Sequence, residues 1–267
     1  MAPHPYRARK RFGQHFLHDA VVVDRILDSL DLESGLTVFE IGPGRGALTI
    51  PLLQRLPALH VIEIDRDLAA DLQTRYGADG RLTVHCVDAL RFDFCGAASG
   101  RLLVVGNLPY NISTPLLFHL LDHLHCIAQM VFMLQKEVAQ RLCAEPGGRD
   151  YSRLSVMVQS RCEVQALFNV SPGAFTPPPR VESSVVRLTP AATAAPVIKD
   201  RGLFNYIVRT AFSHRRKTLR NALKGVIDEA LLTELGIPAQ NRPEDLPVSA
   251  YAALANAKAA RKNEPDR

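Results

Sequence analysis

The stretch Glu40-Ile41-Gly42-Pro43-Gly44-Arg45-Gly46 stands between a short apolar run, Thr37–Ile41, and a segment with helical spacing over residues 47–56. Glycines between a strand and a helix permit a tight turn, and they let a ligand approach the backbone closely. The stretch therefore predicts the first strand, the first turn and the next helix of an α/β sheet.

Short apolar runs continue to alternate with helical segments along the chain. Strands are predicted at Thr37–Ile41, 59–64, 82–86, 102–105 and 128–134, and helices at 20–30, 47–56, 68–76, 115–124 and Lys136–Cys143. This alternation is typical of a doubly wound, mostly parallel sheet, so we predict a Rossmann-like α/β fold.

The pattern changes towards the end of the chain. Two further strands, at Cys162–Val170 and 181–188, are predicted to complete the sheet, and the Ala- and Pro-rich residues 190–196 indicate a linker. Helices are predicted at 204–212, 218–223, 228–235 and 249–257, followed by a frayed tail from Lys258. We therefore predict a domain over residues 1–190 with a basic arm at 1–13, a linker at 191–198 and a small all-helical domain at 199–267.

A carboxylate follows the glycine turn at a characteristic distance. Glu63 ends the second predicted strand about twenty residues after Gly42, which is the spacing of an acid that accepts the ribose hydroxyl protons of a nucleotide cofactor. The tighter G-x-G-x-G pattern, with Pro43 inside it, is a poor pyrophosphate cradle and favours a phosphate-free nucleoside such as S-adenosylmethionine over a nicotinamide cofactor. The alternative is a structural glycine turn with an unrelated surface glutamate.

The four residues Asn107-Leu108-Pro109-Tyr110 directly follow the apolar run at 102–105. The Asn107 side-chain oxygen and the Leu108 carbonyl are acceptors that can hold the two N–H groups of an aromatic amine, whose delocalised lone pair makes it a weak nucleophile. Tyr110 offers a flat face on which a base can stack. The alternative is a turn after a buried strand with a tyrosine of the core.

Two more positions are candidates on weaker grounds. Asp88, with Ala89, follows the third strand and would accept a hydrogen bond from an adenine amine, although a helix cap is the commoner fate of such an aspartate. Phe175 belongs to a proline-rich loop, where its ring either stacks on an extracted base or anchors the loop to the core.

Charge and cysteine content indicate the partner and the compartment. Positive charge is concentrated in two segments, with a net +4 in residues 1–11 and a net +7 in residues 199–224, while the rest of the chain carries −6. This distribution predicts contact with a polyanion, the alternative being ordinary solvated faces. The five cysteines form no C-x-x-C pair, so we expect reduced, mostly buried thiols and no metal site.

The sequence contains no apolar run as long as the roughly 20 residues that a membrane-spanning helix needs. We expect a cytoplasmic monomer.

These motifs together resemble the ribosomal RNA adenine N6-dimethyltransferase family. The resemblance rests on Gln14-His15-Phe16-Leu17, Glu40 to Gly46, Glu63, Asp88-Ala89, Asn107 to Tyr110 and Phe175 to Ser183, in that order. The extended motif Asn107 to Pro115 and the segment Phe212 to Asn221 are most similar to the branch that modifies two adjacent adenines in a hairpin loop near the 3′ end of 16S rRNA.

The resemblance implies a class I methyltransferase fold and a set of site residues. S-adenosylmethionine would be bound by His15, Leu17, Gly42, Gly44, Glu63, Asp88, Ala89 and Asn107. Asn107 and the Leu108 carbonyl would orient the adenine amine, and Tyr110 and Phe175 would sandwich the base. RNA of the assembling small subunit would contact Arg9, Lys10, Arg11, Arg215, Arg216, Lys217 and Arg220.

Two alternatives to this function differ in kind. The first is the related antibiotic-resistance enzyme that dimethylates large-subunit rRNA, which the segment from Arg215 to Arg220 and the Pro177-Pro178-Pro179 triplet disfavour. The second is a nucleic-acid binder that keeps the fold without the activity, which the presence of Glu63, Asn107 and Tyr110 disfavours.

Overall fold

A computed structural model describes residues 9, 13–32, 35–191 and 196–262. Its strands are β1 Phe16–Leu17, β2 Thr37–Ile41, β3 Leu59–Ile62, β4 Leu82–His85, β5 Leu102–Asn107, β6 Ile127–Gln135, β7 Cys162–Val170, β8 Phe175–Thr176 and β9 Ser183–Pro190. Its helices are α1 Ala20–Asp28, α2 Thr49–Arg55, α3 Arg66–Tyr76, α4 Ser113–Asp122, α5 Lys136–Cys143, α6 Arg153–Gln159, α7 Arg201–Ser213, α8 Leu219–Ala222, α9 Glu229–Glu234 and α10 Val248–Lys262.

The main sheet has seven strands in the order β4-β3-β2-β5-β6-β9-β7. The strands from β4 to β6 run parallel, and β9 pairs antiparallel with β6, for example Phe132 with Val186. Parallel strands covered on both faces must be apolar throughout, and residues 102–105 of β5 are all 1% exposed or less. The predicted doubly wound sheet is confirmed.

The strand order of the sheet indicates where a ligand would bind. From β2 the chain continues to β3 and β4 on one side of the sheet and then returns to β5 on the other side of β2, so β2 lies at a topological switch point. Ligands of open α/β sheets bind beyond the carboxyl ends of the strands at such a switch point. The ends of β2, β3 and β5 carry Glu40, Glu63 and Asn107 respectively.

The chain divides into two compact units. The first contains residues up to Ala139 together with Val164–Pro190, and the second contains Gln140–Glu163 and the residues from Ala191 onwards. Gln140–Glu163 groups with the C-terminal helices in this division, and the domain boundary at residue 190 stays a prediction. Tyr151 and Val156 from this segment are buried in the core of the second unit with Phe204, Ile207 and Tyr251.

Several local expectations were wrong. Helix α6 and the two-residue strands β1 and β8 were not predicted, because they are short and depend on contacts with distant residues. The tail expected to fray from Lys258 continues as helix to Lys262, since alanine at 257, 259 and 260 favours helix. Within the described ranges, no helix combines the length and the apolar composition needed to cross a membrane.

The cysteine expectation was also wrong. Cys95 and Cys126 form a disulfide with their Cα atoms 5.7 Å apart, and of the remaining three cysteines only Cys162 is buried. Spacing in the sequence could not indicate this pair, because 31 residues separate the two cysteines and the order of the strands brings them together.

Candidate active site

A cavity of about 310 Å³ lies beyond the carboxyl ends of β2, β3 and β5, entirely within the first unit. Its volume falls in the range of small-molecule sites. The sequence-predicted residues that line it are His15, Leu17, Gly42, Gly44, Glu63, Asp88, Asn107, Leu108 and Tyr110. The structure therefore brings together residues that are up to 95 positions apart in the chain.

The glycine turn after β2 forms the floor of the cavity. Gly42 and Gly44 have φ angles of +69° and +56°, a region that side chains other than glycine rarely adopt. A Cβ atom on Gly44 would also lie 3.0 Å from Cδ1 of Phe16. Glycine is thus required at position 44 both for the turn and for the contact with β1.

Glu63 is held in place by two backbone amides. Its Oε2 accepts a hydrogen bond from the Gly44 amide at 3.3 Å, and its Oε1 accepts one from the Asp65 amide at 2.9 Å. Burial raises the pKa of Glu63, while these two donors stabilise its charged form. The carboxylate is therefore oriented before any ligand binds.

Glu40 is a second buried acid in the lining, and its role was not predicted. It is 1% exposed, and its Oε2 accepts a hydrogen bond from the Thr49 hydroxyl at 2.7 Å. Burial raises its pKa to about 8, with a further contribution from the charge of Glu63, against the opposing effect of Thr49. Glu40 is consequently mostly protonated at neutral pH.

Asp88 has the capping role that the sequence offered as the alternative, and it also lies in the cavity lining. Its Oδ1 accepts a hydrogen bond from the Leu90 amide at 3.0 Å and so caps the 3-10 turn Ala89–Arg91, while the residue also lines the cavity. Ala89 is buried beside it and does not reach the lining. Asp88 is thus positioned by the cap to face a ligand.

Asn107, the last residue of β5, is oriented by the N-terminal segment. Its Nδ2 donates a hydrogen bond to the backbone oxygen of His15 at 3.0 Å, which leaves Oδ1 to accept hydrogen bonds from a ligand. The Leu108 amide donates to the Met133 carbonyl at 3.1 Å and so extends the pairing of β5 with β6 into the motif. The acceptor geometry expected at Asn107 is therefore possible.

Tyr110 is held at its hydroxyl and at its ring. The hydroxyl lies 2.7 Å from Oγ of the buried Ser183, and the ring stacks on the His15 ring with centroids 5.5 Å apart and planes 27° apart. Burial raises the pKa of Tyr110, so the phenol stays neutral. A flat ring is thus already accommodated against Tyr110.

Phe175 does not belong to the cavity, and the expected sandwich with Tyr110 is absent. Its side chain is 2% exposed and packs in the core of the first unit. The reason is the pairing of β1 with β8, which places Phe175 opposite Leu17. The structure shows the alternative role, in which the ring anchors the loop to the core.

Other residues that line the cavity were not predicted from the sequence. Ile64 is an apolar residue that is 45% exposed at the cavity, and Leu90 lines it as well. The signal for Ile64 was available, because an apolar side chain lies between two acids at the end of β3, where a nucleoside ring would need a nonpolar wall. Gln14 and Arg45 also line the cavity.

The basic residues of the second unit differ in whether their charge is already paired with an acidic side chain. Arg215 donates to the Arg149 carbonyl and lies 3.6 Å from Glu244, and Arg220 lies 3.6 Å from Glu229. Arg216 and Lys217 are exposed, and in the described part of the chain no carboxylate pairs with either of them. These two are the best placed to bind phosphates.

The predicted N-terminal RNA contact is not supported at Arg9. Its guanidinium pairs with Asp65 at 3.0 Å and also with Asp67, so its charge is neutralised within the first unit. Lys10 and Arg11 lie outside the described residues.

Solved structures with the same architecture identify the class. A dimethyladenosine transferase from Plasmodium falciparum superposes with a TM-score of 0.82 at 27% identity, covering 93% of this chain and 98% of the other. The 23S rRNA methyltransferase ErmE superposes with a TM-score of 0.70 at 25% identity, covering 90% and 98%. The fold and its cavity are those of a Rossmann-like class I methyltransferase.

Sequence comparison narrows this class to one family. Residues 6–260 match the model of the family described as ribosomal RNA adenine dimethylase. The chain is 55% identical over 251 residues to the ribosomal RNA small subunit methyltransferase A of Nitrosococcus oceani, covering 93% of this chain and 95% of that protein. It is 52% identical to the protein of that name from Pseudomonas aeruginosa, with 94% of both chains covered. The chain belongs to the ribosomal RNA adenine dimethylase family.

Proposed function

We propose that this protein transfers methyl groups from S-adenosylmethionine to N6 of two adjacent adenines in a hairpin loop near the 3′ end of 16S rRNA, during assembly of the small ribosomal subunit. The observation that carries the proposal is the Asn107 side chain, whose nitrogen is held by His15 and whose oxygen remains for an incoming amine in the cavity that Glu63 also lines. The names of the relatives with 52–55% identity support the same substrate.

The lining fits the cofactor. The prepositioned carboxylate of Glu63 suits the two hydroxyls of a ribose, Asp88 suits an adenine amine, and Ile64 and Leu90 supply nonpolar contact for the ring. S-adenosylmethionine supplies, when bound, a methyl group that is already activated as a sulfonium. The closely approachable backbone at Gly42 and Gly44 completes the site.

The protein's contribution to chemistry is orientation of the target amine. An exocyclic amine conjugated with adenine is a weak nucleophile, and acceptors at Asn107 Oδ1 and the Leu108 carbonyl would hold its N–H groups and direct the lone pair outward. Tyr110 would stack on the base, with its hydroxyl held by Ser183. No strong base is needed, because the amine loses a proton readily after it has been methylated.

Recognition of the RNA is assigned to exposed cations and to the shape of the cavity. Arg216 and Lys217 would bind phosphates of the rRNA. The target adenine must leave its stack to reach Tyr110, which is easiest in a single-stranded loop. We propose that the protein acts as a monomer in the cytoplasm.

A transfer assay tests the proposal. Small-subunit particles that lack the modification are incubated with the protein and tritiated S-adenosylmethionine, and primer extension then locates the methylated bases. We expect label at two adjacent adenines near the 3′ end. Label on isolated large subunits instead would indicate the chemistry named for ErmE, and cofactor binding without transfer to either particle would indicate a binding protein.

A further inference from the structure

A second cluster of reactive side chains lies outside the cavity. The donor atoms of Cys95, His125 and Cys126 all lie within 4.8 Å of one another, and the two cysteines form the disulfide. Nothing in the proposed methyl transfer uses these residues. All three belong to the first unit, and His125 is exposed while both cysteines are partly exposed.

The cluster sits at the amino ends of the strands, at the opposite edge from the cavity. The Cys126 carbonyl accepts a hydrogen bond from the amide of Leu102, the first residue of β5, at 2.8 Å, and Cys126 directly precedes β6. The Cys126 amide in turn donates to the His123 carbonyl at 3.1 Å. The backbone that carries two of the three donors is therefore fixed by the sheet and by a turn.

The donor set is that of a site for a thiolate-preferring cation. Two thiolates and one imidazole are typical ligands of Zn²⁺, with metal–sulfur bonds of about 2.3 Å. The cysteine Cα atoms are 5.7 Å apart, so rotation of the side chains, without movement of the backbone, would let both sulfurs reach one ion. A water molecule would complete a tetrahedral set.

We propose that reduction of the Cys95–Cys126 disulfide opens a binding site for a cation of the Zn²⁺ class, held by Cys95, His125 and Cys126. Two molecules of a low-molecular-weight thiol are oxidised to their disulfide, and their two electrons and two protons convert the S–S bond to two thiols. Each thiol then releases its proton when its sulfur binds the metal. The disulfide in the oxidised state, or coordination of one metal ion in the reduced state, would connect the loop before β5 to the residue before β6.

The test measures zinc affinity in both redox states of the full-length protein. The reduced protein, freed of metal and kept under a phosphine reductant, competes for Zn²⁺ with a chromophoric chelator, and the measurement is repeated after oxidation with oxidised glutathione. We expect one tightly bound Zn²⁺ in the reduced state and its loss in the oxidised state. The midpoint temperature of thermal unfolding of the reduced protein should rise when Zn²⁺ is added.

Variants separate this site from adventitious binding. Cys126→Ser and His125→Ala should each weaken Zn²⁺ binding at least about tenfold, and His125 is exposed, so its removal leaves the fold intact. Cys86→Ser, which removes an exposed cysteine elsewhere in the first unit, should behave as the unchanged protein. Equal Zn²⁺ affinity in the reduced protein and in Cys126→Ser, or affinity unchanged by oxidation, would overturn the proposal.

Discussion

The Nδ2 atom of Asn107 donates a hydrogen bond to the backbone oxygen of His15 across 92 positions of sequence. The contact joins the end of β5 to the residue before β1, and it decides which end of the amide points to a ligand. The N-terminal segment is consequently part of the candidate active site, and it sets the geometry at the residue on which the proposed chemistry depends.

Replacing this amide tests its acceptor role. Asn107→Ala should reduce methyl transfer by about two to three orders of magnitude, which is the usual loss when a group that stabilises the transition state is removed. RNA affinity, measured by filter binding, should change by less than about threefold, because Asn107 is not among the cations that we propose bind phosphate. Retained transfer, or a parallel loss of RNA binding, would contradict the proposed role.

Ser183 is expected to act through Tyr110. Ser183→Ala removes the partner of the Tyr110 hydroxyl, and a hydrogen bond of this kind contributes about 1 kcal/mol, so kcat/KM for the RNA should fall about three- to tenfold. Tyr110→Phe should have a similar effect, and the double variant should be no worse than either single one. Additive losses would show that the two residues act independently. Tyr110→Ala, which also removes stacking, should be more damaging.

The raised pKa of Glu40 predicts a pH dependence of stability. Between the unfolded value near 4.5 and the folded value of about 8, the folded protein binds the extra proton, so the free energy of unfolding should fall as pH rises through this window. Glu40→Gln keeps an acceptor for the Thr49 hydroxyl and cannot ionise. Urea unfolding at pH 5 and pH 8.5 should therefore show a smaller loss of stability for Glu40→Gln than for the unchanged protein, by on the order of a few kcal/mol.

A surface variant tests whether the pH dependence of stability comes from the buried Glu40 or from loss of any carboxylate. Glu163→Gln removes an exposed carboxylate and should leave the pH dependence as it is. If both variants flattened the dependence equally, burial of Glu40 would not be its cause.

Exposed cations should control the salt dependence of RNA binding. Replacing both Arg216 and Lys217 by alanine should weaken binding of the rRNA hairpin. The plot of log K against log salt concentration has a negative slope, and its magnitude should decrease by about one to two. Arg75→Ala, which removes an arginine already paired with Asp71 in the first unit, is the control and should leave the slope unchanged. An unchanged slope in the double variant would place the RNA contact elsewhere.

Much of the fold was predictable because it depends on local patterns. A buried parallel strand is almost wholly apolar, so Thr37–Ile41 was predicted with its observed bounds. The bounds of the strand Cys162–Val170 and of the helix Lys136–Cys143 were also predicted as observed. The motif positions at Glu63 and Asn107 could be placed at one edge because the carboxyl ends of parallel strands meet there. The motifs and the strand order thus indicated nine of the residues that line the cavity.

Other features depended on contacts that no local pattern encodes. The strand pairing that buries Phe175, the disulfide between Cys95 and Cys126, the grouping of Gln140–Glu163 with the C-terminal helices and the ion pairs of Arg9 all join distant residues. A motif shows which side chains are near a ligand, but packing decides which way each one faces.

The sequence by itself determined the fold class, the edge of the sheet that carries the site and the main candidate residues, because hydrophobic periodicity and motif spacing are properties of the chain. Only the tertiary structure decided that Asn107 presents its oxygen, that Glu40 is protonated near neutral pH and that Phe175 is a core residue. Orientation, burial and pKa depend on neighbours from other segments, and those neighbours exist only once the chain has folded.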